Sequence, residues 1–230
     1  MKHKAKALAN YILLKVKTIS RPTQALILLS GLSCLLELTK IILKNDFSGI
    51  GLIWNLFLAW VPLFFILLSR RFLKKGSRIG IYGNIFMWLL FFPNATYIIT
   101  DLIHIPEYAG VLLWYDSLRI FLFALAGLAT GLYSLLVLHQ VLNTLFRQKT
   151  AWYILSFSVF LSGYGIYLGR FVRFNSWDLF TNPFALIRQI LDDVNNPLAI
   201  HTTLAFAFVT MVLYVCLNLV IRKPNPENSR

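Results

Sequence analysis

Six stretches of the sequence, at about 25–43, 48–68, 79–100, 118–138, 151–171 and 198–221, are each apolar over roughly 20 residues. A helix rises about 1.5 Å per residue, so such a run just covers a hydrocarbon core of about 30 Å. Backbone groups in lipid must be satisfied within the chain, which leaves helices and closed barrels, and runs of this length fit helices. The chain is therefore predicted to be an all-α integral membrane protein, a bundle of about six transmembrane helices. Only 13% of its residues are charged, about half the share of a soluble domain, which excludes an ordinary water-soluble fold.

The net charge of +13 raises nucleic acid as a partner. However, the lysines and arginines sit in short loops and tails, and no soluble basic domain is left to hold a duplex. The same residues instead fix a topology. With an even number of spans, 16 of the 22 Lys and Arg fall on the side of the two termini, and seven of the nine acids fall on the other. Positive charge marks the cytoplasmic side, so both termini are predicted to be cytoplasmic. Residues 1–24 then form a basic cytoplasmic or interfacial segment, 25–221 a single transmembrane domain and 222–230 a tail. Cys34 and Cys216 both fall inside spans and read as small packing residues. In the last outer loop, Phe184, Ile187, Ile190, Leu191 and Val194 repeat at helical spacing after Asn182-Pro183. That pattern predicts a short amphipathic helix on the membrane surface, ended by Asn195, Asn196 and Pro197.

Residues 91–116, FFPNATYIITDLIHIPEYAGVLLWYD, interrupt this apolar background with a proline, an amide, three acids and a histidine. On the predicted topology, Asn94 lies about two turns below the outer surface, with Tyr97, Asp101 and His104 above it. Asp116 and Arg119 open span 4, Arg170 and Arg173 end span 5, and His201 begins span 6. Glu37 and Lys40 occupy the outer third of span 1, and Asn55 lies two turns into span 2. Charged groups at membrane depth cost several kcal/mol unless they pair or face water, so this layer must point inward.

Two readings of the layer stay open. In the structural one, Glu37 with Lys40 and Asp116 with Arg119, each three residues apart, neutralise one another within a helix. In the functional one, the layer lines an outward-opening pocket built by spans 3 to 6. Pro93 removes a backbone hydrogen bond and frees a carbonyl. If the helix continues past it, Tyr97, Asp101 and His104 share one face. Gly165 and Gly169 have the spacing that lets two helices approach closely. Arg170 and Arg173, with Asn175 and Asp178 in the following loop, suit phosphate or carboxylate. Asp101, His104 and His201 are weak metal candidates, because no tight ligand motif surrounds them. There is no P-loop, dinucleotide fingerprint, nucleophile elbow or CxxC pair, so no cofactor is indicated.

The segments Phe91-Phe92-Pro93-Asn94-Ala95-x-Tyr97-Ile98-x-Thr100-Asp101-Leu102-x-His104, Trp114-Tyr115-Asp116 and Gly169-Arg170-Phe171-x-Arg173-x-Asn175-Ser176-Trp177-Asp178 carry a resemblance. In order and spacing they resemble a bacterial membrane family known as domain of unknown function 1361. The resemblance covers about residues 50–220 and implies a bacterial plasma-membrane protein without implying an activity. The expected partners are the lipid bilayer and a polar or anionic small molecule or lipid head group. A membrane-embedded enzyme acting on a lipid-linked substrate, and a non-catalytic subunit of an envelope complex, are the alternatives.

Overall fold

The computed structural model describes residues 20–44, 47, 49–107 and 113–221, the side chains of Lys44 and of 103–107 excepted. The basic N-terminal segment up to residue 19, the tail after 221 and the side chain of His104 thus lie outside the described residues. Six helices are long and apolar enough to cross a membrane, and no strand occurs among the described residues. They are α1 (Arg21–Lys44), α2 (Ile50–Lys75), α3 (Arg78–Tyr97), α4 (Leu113–Leu145), α5 (Gln148–Tyr167) and α8 (Pro197–Ile221). Between α5 and α8 lie a single turn, α6 (Asp178–Thr181), and the short helix α7 (Pro183–Asp192). α1, α2 and α4 are longer than the apolar runs that predicted them, whereas α3 and α5 end as regular α-helices at Tyr97 and Tyr167, short of the predicted ends.

Long-range hydrogen bonds show which ends lie together. The Ser20 and Tyr133 hydroxyls share a bond of 3.2 Å, and His139 Nδ1 meets the Tyr214 hydroxyl at 2.5 Å. The start of α1, the second half of α4 and the end of α8 therefore occupy one end of the bundle. Here Arg70, Arg71, Lys74, Lys75, Arg78, Arg147 and Lys149 cluster, and we call it the basic end. Asn55 to Asp101, Asn94 to Ser176 and Arg119 to Glu37 tie together the opposite, acidic end.

α4 is the central helix, and α1, α2, α3, α5 and α8 all pack on it. At 33 residues it is about 50 Å long, more than a bilayer core. Small residues let its neighbours come close. A Cβ on Gly127 would lie 3.0 Å from the Ala95 carbonyl oxygen, and one on Gly131 would lie 3.0 Å from the Ala95 Cβ. Toward the basic end Trp88, Phe92, Leu135, Leu138, Leu155 and Tyr214 form the main core, and the Trp88 indole N–H donates to Ser134 Oγ at 3.1 Å. A second core, toward the acidic end, contains Leu56, Ala59, Ala95, Ile98 and Phe123.

The α2–α3 hairpin follows from a local signal. Gly76 takes a left-handed conformation (φ 71°) that ends α2, and Ser77 Oγ accepts the Gly80 N–H to begin α3. In the last loop Pro183 opens α7 as expected, although the Asn182 side chain makes no capping bond. The second Asn-Pro pair does cap: Asn196 Oδ1 accepts the Leu198 N–H at 3.0 Å at the start of α8.

α8 is the most apolar helix and the least buried, and it packs mainly along α5. Their contact depends on Gly163, where a Cβ would stand 2.4 Å from the Thr203 carbonyl oxygen. That atom belongs to a helix backbone and cannot step aside. Gly163→Ala is expected to destabilise the protein by about 1–3 kcal/mol through overpacking. Ser156→Ala, on an exposed face of the same helix, should be nearly neutral. Thermal unfolding in detergent checks both, and an unchanged midpoint for Gly163→Ala would show that α8 is held elsewhere.

Candidate functional site

Near the acidic end α3 stops being a regular α-helix. Pro93 lies inside it, and from Ile98 to Glu107 the chain tightens into a 3₁₀ helix. The opposing face of α5 is built to receive this segment. A Cβ on Gly165 would meet Pro93 Cγ at 2.5 Å, and one on Gly169 would meet the Tyr97 ring at 3.4 Å. Two small residues four apart thus sit against two bulky ones four apart, which sets α3 and α5 close at this level.

α5 then changes too. Leu168–Val172 form a π turn, a form in which i→i+5 bonding widens the helix and which is common at functional sites. The turn ends at Arg173, whose φ of 67° is the one positive value outside glycine among the described residues. Arg170 and Arg173 both line a cavity of about 720 Å³. Its floor is Leu90, Pro93, Asn94 and Tyr97 on α3. Trp54, Asn55 and Leu58 on α2 form one wall, and Gly165, Leu168 and Gly169 the other, with Asn175, Ser176, Leu179 and Leu186 closing over the top.

Hydrogen bonds hold these walls in register. Asn94 Nδ2 donates to the Phe91 carbonyl at 3.0 Å and to Ser176 Oγ at 2.9 Å, tying the floor to the loop. Asp101 is buried and joins three segments: Oδ2 accepts from Asn55 Nδ2 at 3.1 Å, and Oδ1 from Arg170 Nη1 at 3.3 Å. The Arg170 guanidinium also lies 6.0 Å from the centre of the Tyr97 ring. Tyr97 and Asp101 therefore meet at Arg170 although the α-helix between them gives way. Arg173 is exposed, and no acid pairs with it among the described residues.

The other predicted residues divide. Asp116 and Arg119 are buried but do not line the cavity. They form a four-charge cluster with α1. Arg119 Nη1 donates to Glu37 Oε2, Arg119 Nη2 donates to Asp116 Oδ1 at 3.0 Å, and Lys40 Nζ stands 3.3 Å from the same Asp116 oxygen. The i,i+3 pair expected at 116 and 119 is present. Glu37 and Lys40 instead turn to partners on α4, since two helices meeting at one depth offer both a better acceptor and a better donor. Gly49 seals the cluster, because a Cβ there would fall within 2.5 Å of both Glu37 and Arg119.

Asp178 shapes the loop: Oδ2 accepts the Asn175 N–H at 2.6 Å and Oδ1 the Thr181 hydroxyl at 3.0 Å. Asn175 lines the cavity, whereas His201 is exposed on α8 and does not. Among the described residues no three His, Cys, Asp or Glu side chains gather as a metal site. At the basic end, His139 is buried against Trp152 and Tyr214.

The sequence reading passed over two features. Trp54 and Ser176 help to complete the cavity, whereas Asn55, an amide deep in an apolar run, already belonged to the polar layer. Asp193, buried just after α7, accepts hydrogen bonds from Tyr164 (3.1 Å), Tyr167 (2.8 Å), Gln189 (3.0 Å) and Asn196 (3.1 Å). Burial pushes its carboxyl up, but the donors Gln189, Tyr167, Asn196 and Tyr164 outweigh this and hold it below the usual carboxylate range.

A helical bundle with a mixed polar and apolar cleft at one end defines a multi-pass membrane protein. The family model described as "Protein of unknown function (DUF1361)" matches residues 54–215, and the chain belongs to that family. The matched region contains every residue lining the cavity and leaves out α1. No curated protein and no solved structure matches the chain.

Proposed function

We propose that the cleft binds or moves a polar or anionic small molecule or lipid head group at the outer face of a bacterial plasma membrane. The charge bias supports that orientation, since the basic end then faces the cytoplasm with both termini. One observation carries the reading: Arg173 lines the cavity from a left-handed backbone that an L side chain adopts at a cost of about 1 kcal/mol. Glycine would suit the backbone better, so the guanidinium itself is what the position retains. Arg170 supplies a second cation, shared with Asp101, while Asn94 and Tyr97 orient the ligand. The enzyme alternative would use Asp101, His104 and His201 as base or metal ligands. Both Asp101 oxygens, however, already accept hydrogen bonds, and His201 lies outside the cavity lining.

Arg173→Gly tests the proposal without removing a packing contact. A ligand at 100 times its Kd stabilises a protein by about 2.7 kcal/mol. Inorganic phosphate or a phosphate ester is expected to raise the unfolding midpoint of the purified protein. Arg173→Gly should abolish that rise while leaving the ligand-free midpoint equal to or above that of the wild type. A full phosphate-dependent rise in Arg173→Gly would refute the assignment.

A further inference from the structure

We infer that the anion taken by this cleft is carried on a lipid, and that the ligand enters sideways from the bilayer between α2 and α5. The inference rests on the anion-binding reading and names its substrate class: an amphiphile with a phosphate-type head.

The first observation is the arrangement of the walls. α2 and α5 each pack on α3 but make no extensive contact with one another. The surface of α3 between them is therefore the floor of a slot that runs along the bundle. Its upper part is polar, with Arg170, Arg173, Asn94 and Ser176, and its lower part is apolar, with Leu58 and Leu90. From Tyr97 to Leu90 the floor descends seven residues, or about 10 Å, into the zone that lipid chains occupy. Water at that depth has few polar partners and is poorly held. An alkyl chain fills that stretch at little cost, because it exchanges one apolar surface for another, and it displaces the poorly held water while its head stays with the arginines.

Size points the same way. About 720 Å³ lies within the roughly 300–1,000 Å³ of sites that hold drug-sized molecules, far more than a free phosphate fills. The rim is also made for lipid. Trp54 lines the cavity yet is 53% exposed, and it packs on the equally exposed Phe57 with ring centroids 5.4 Å apart. Across the mouth, α7 places Leu186 in the wall while Phe184, Ile187 and Leu191 on the same helix are exposed. An amphipathic helix of this kind lies in the interface with its apolar face among acyl chains. The entrance is thus bordered on both sides by groups that sit in lipid rather than in water.

Three probes separate the sources of the anion in detergent-solubilised full-length protein. Phosphatidic acid has chains and phosphate, diacylglycerol has the same chains alone, and inorganic phosphate has no chains. We expect phosphatidic acid to bind at least tenfold more tightly than either of the others. Leu90→Trp and Leu58→Trp, which fill the slot from the floor and from the α2 wall, should reduce phosphatidic acid binding to the level of phosphate. The readout in both is the ratio of phosphatidic acid to phosphate affinity, which should fall from tenfold or more to about one. Arg173→Gly should weaken phosphate and phosphatidic acid alike. Phosphatidic acid binding no more tightly than phosphate, or unchanged in the slot variants, would overturn lateral lipid entry. The anion-binding reading would survive that result if phosphate binding still depended on Arg173. Binding of neither anion to the wild type would end both. Should the tryptophan variants fail to fold, the wild-type ratio of the two anions decides.

Discussion

Arg119→Ala is expected to lower stability by about 3–5 kcal/mol, the cost of stranding a buried charge. Arg119 and Glu37 are both 0% exposed, and Arg119 is the link between Glu37 on α1 and Asp116 on α4. Removing it leaves two acids and one base in an apolar surround. The cause is the uncompensated charge rather than the lost bond, which makes the effect separable. Replacing Arg119 and Glu37 together by leucine leaves only the Lys40–Asp116 pair, which is neutral. The double variant should therefore be more stable than Arg119→Ala, and both are read from unfolding midpoints or from the fraction that stays monodisperse in detergent. Midpoints for the single variant within about 1 kcal/mol of the wild type would mean that the cluster is hydrated and mechanically unimportant. A double variant as unstable as the sum of its parts would mean that packing, not charge, dominates.

The second large effect is at Asp193. One buried carboxylate takes hydrogen bonds from two tyrosines on α5, from Gln189 on α7 and from Asn196 ahead of α8. Asp193→Ala is expected to cost about 3 kcal/mol, since several donors lose a charged acceptor at once. The loss should be local, appearing as faster amide exchange over residues 183–196 while the cores of α2 and α4 stay protected. Because the folded carboxyl is held below its ordinary value, this contribution is fully present above the unfolded pKa of about 3.9. It is lost as pH falls below that value and through the folded one. Exchange over 183–196 should thus rise below about pH 4 in the wild type and be insensitive to the same change in Asp193→Ala. An equal acid response in both would assign the transition to another group.

The fold was legible because length and hydropathy decide it, and because a charge on an apolar background stands out. Position along the bundle was legible too: Glu37, Asn55, Asn94, Asp101, Arg119 and Arg170 are joined by hydrogen bonds at one end of it. Rotation about each helix axis was not. Arg119 and Arg170 lie at similar depths, yet one faces α1 and the other the cleft, and only the packing of α4 and α5 separates them. The π turn at Leu168–Val172 has no mark in the string LGRFV, so the left-handed Arg173 could not be foreseen. Asp193 reads as the second of two acids on a surface helix. Only the 3₁₀ turn Asp193–Asn195, which follows the end of α7, brings it inward. Gly165 and Gly169 announced a close approach, but their counterparts Pro93 and Tyr97 emerge only when α3 and α5 are brought together.

The four-charge cluster also bears on how the chain enters the bilayer. Glu37 and Arg119 are 82 residues apart, so α1 is synthesised and inserted well before α4 exists. The apolar stretch of each of the two helices holds one acid and one base three residues apart, and so carries no net charge. α1 can shield itself through Glu37 and Lys40 during the wait. In the folded bundle Lys40 faces Asp116 and Glu37 faces Arg119, so each acid and base is matched by a partner on the other helix. A charge arrangement that was neutral only as a whole would strand one helix in lipid. Here the apolar stretch of each helix is neutral by itself as well as in the cluster.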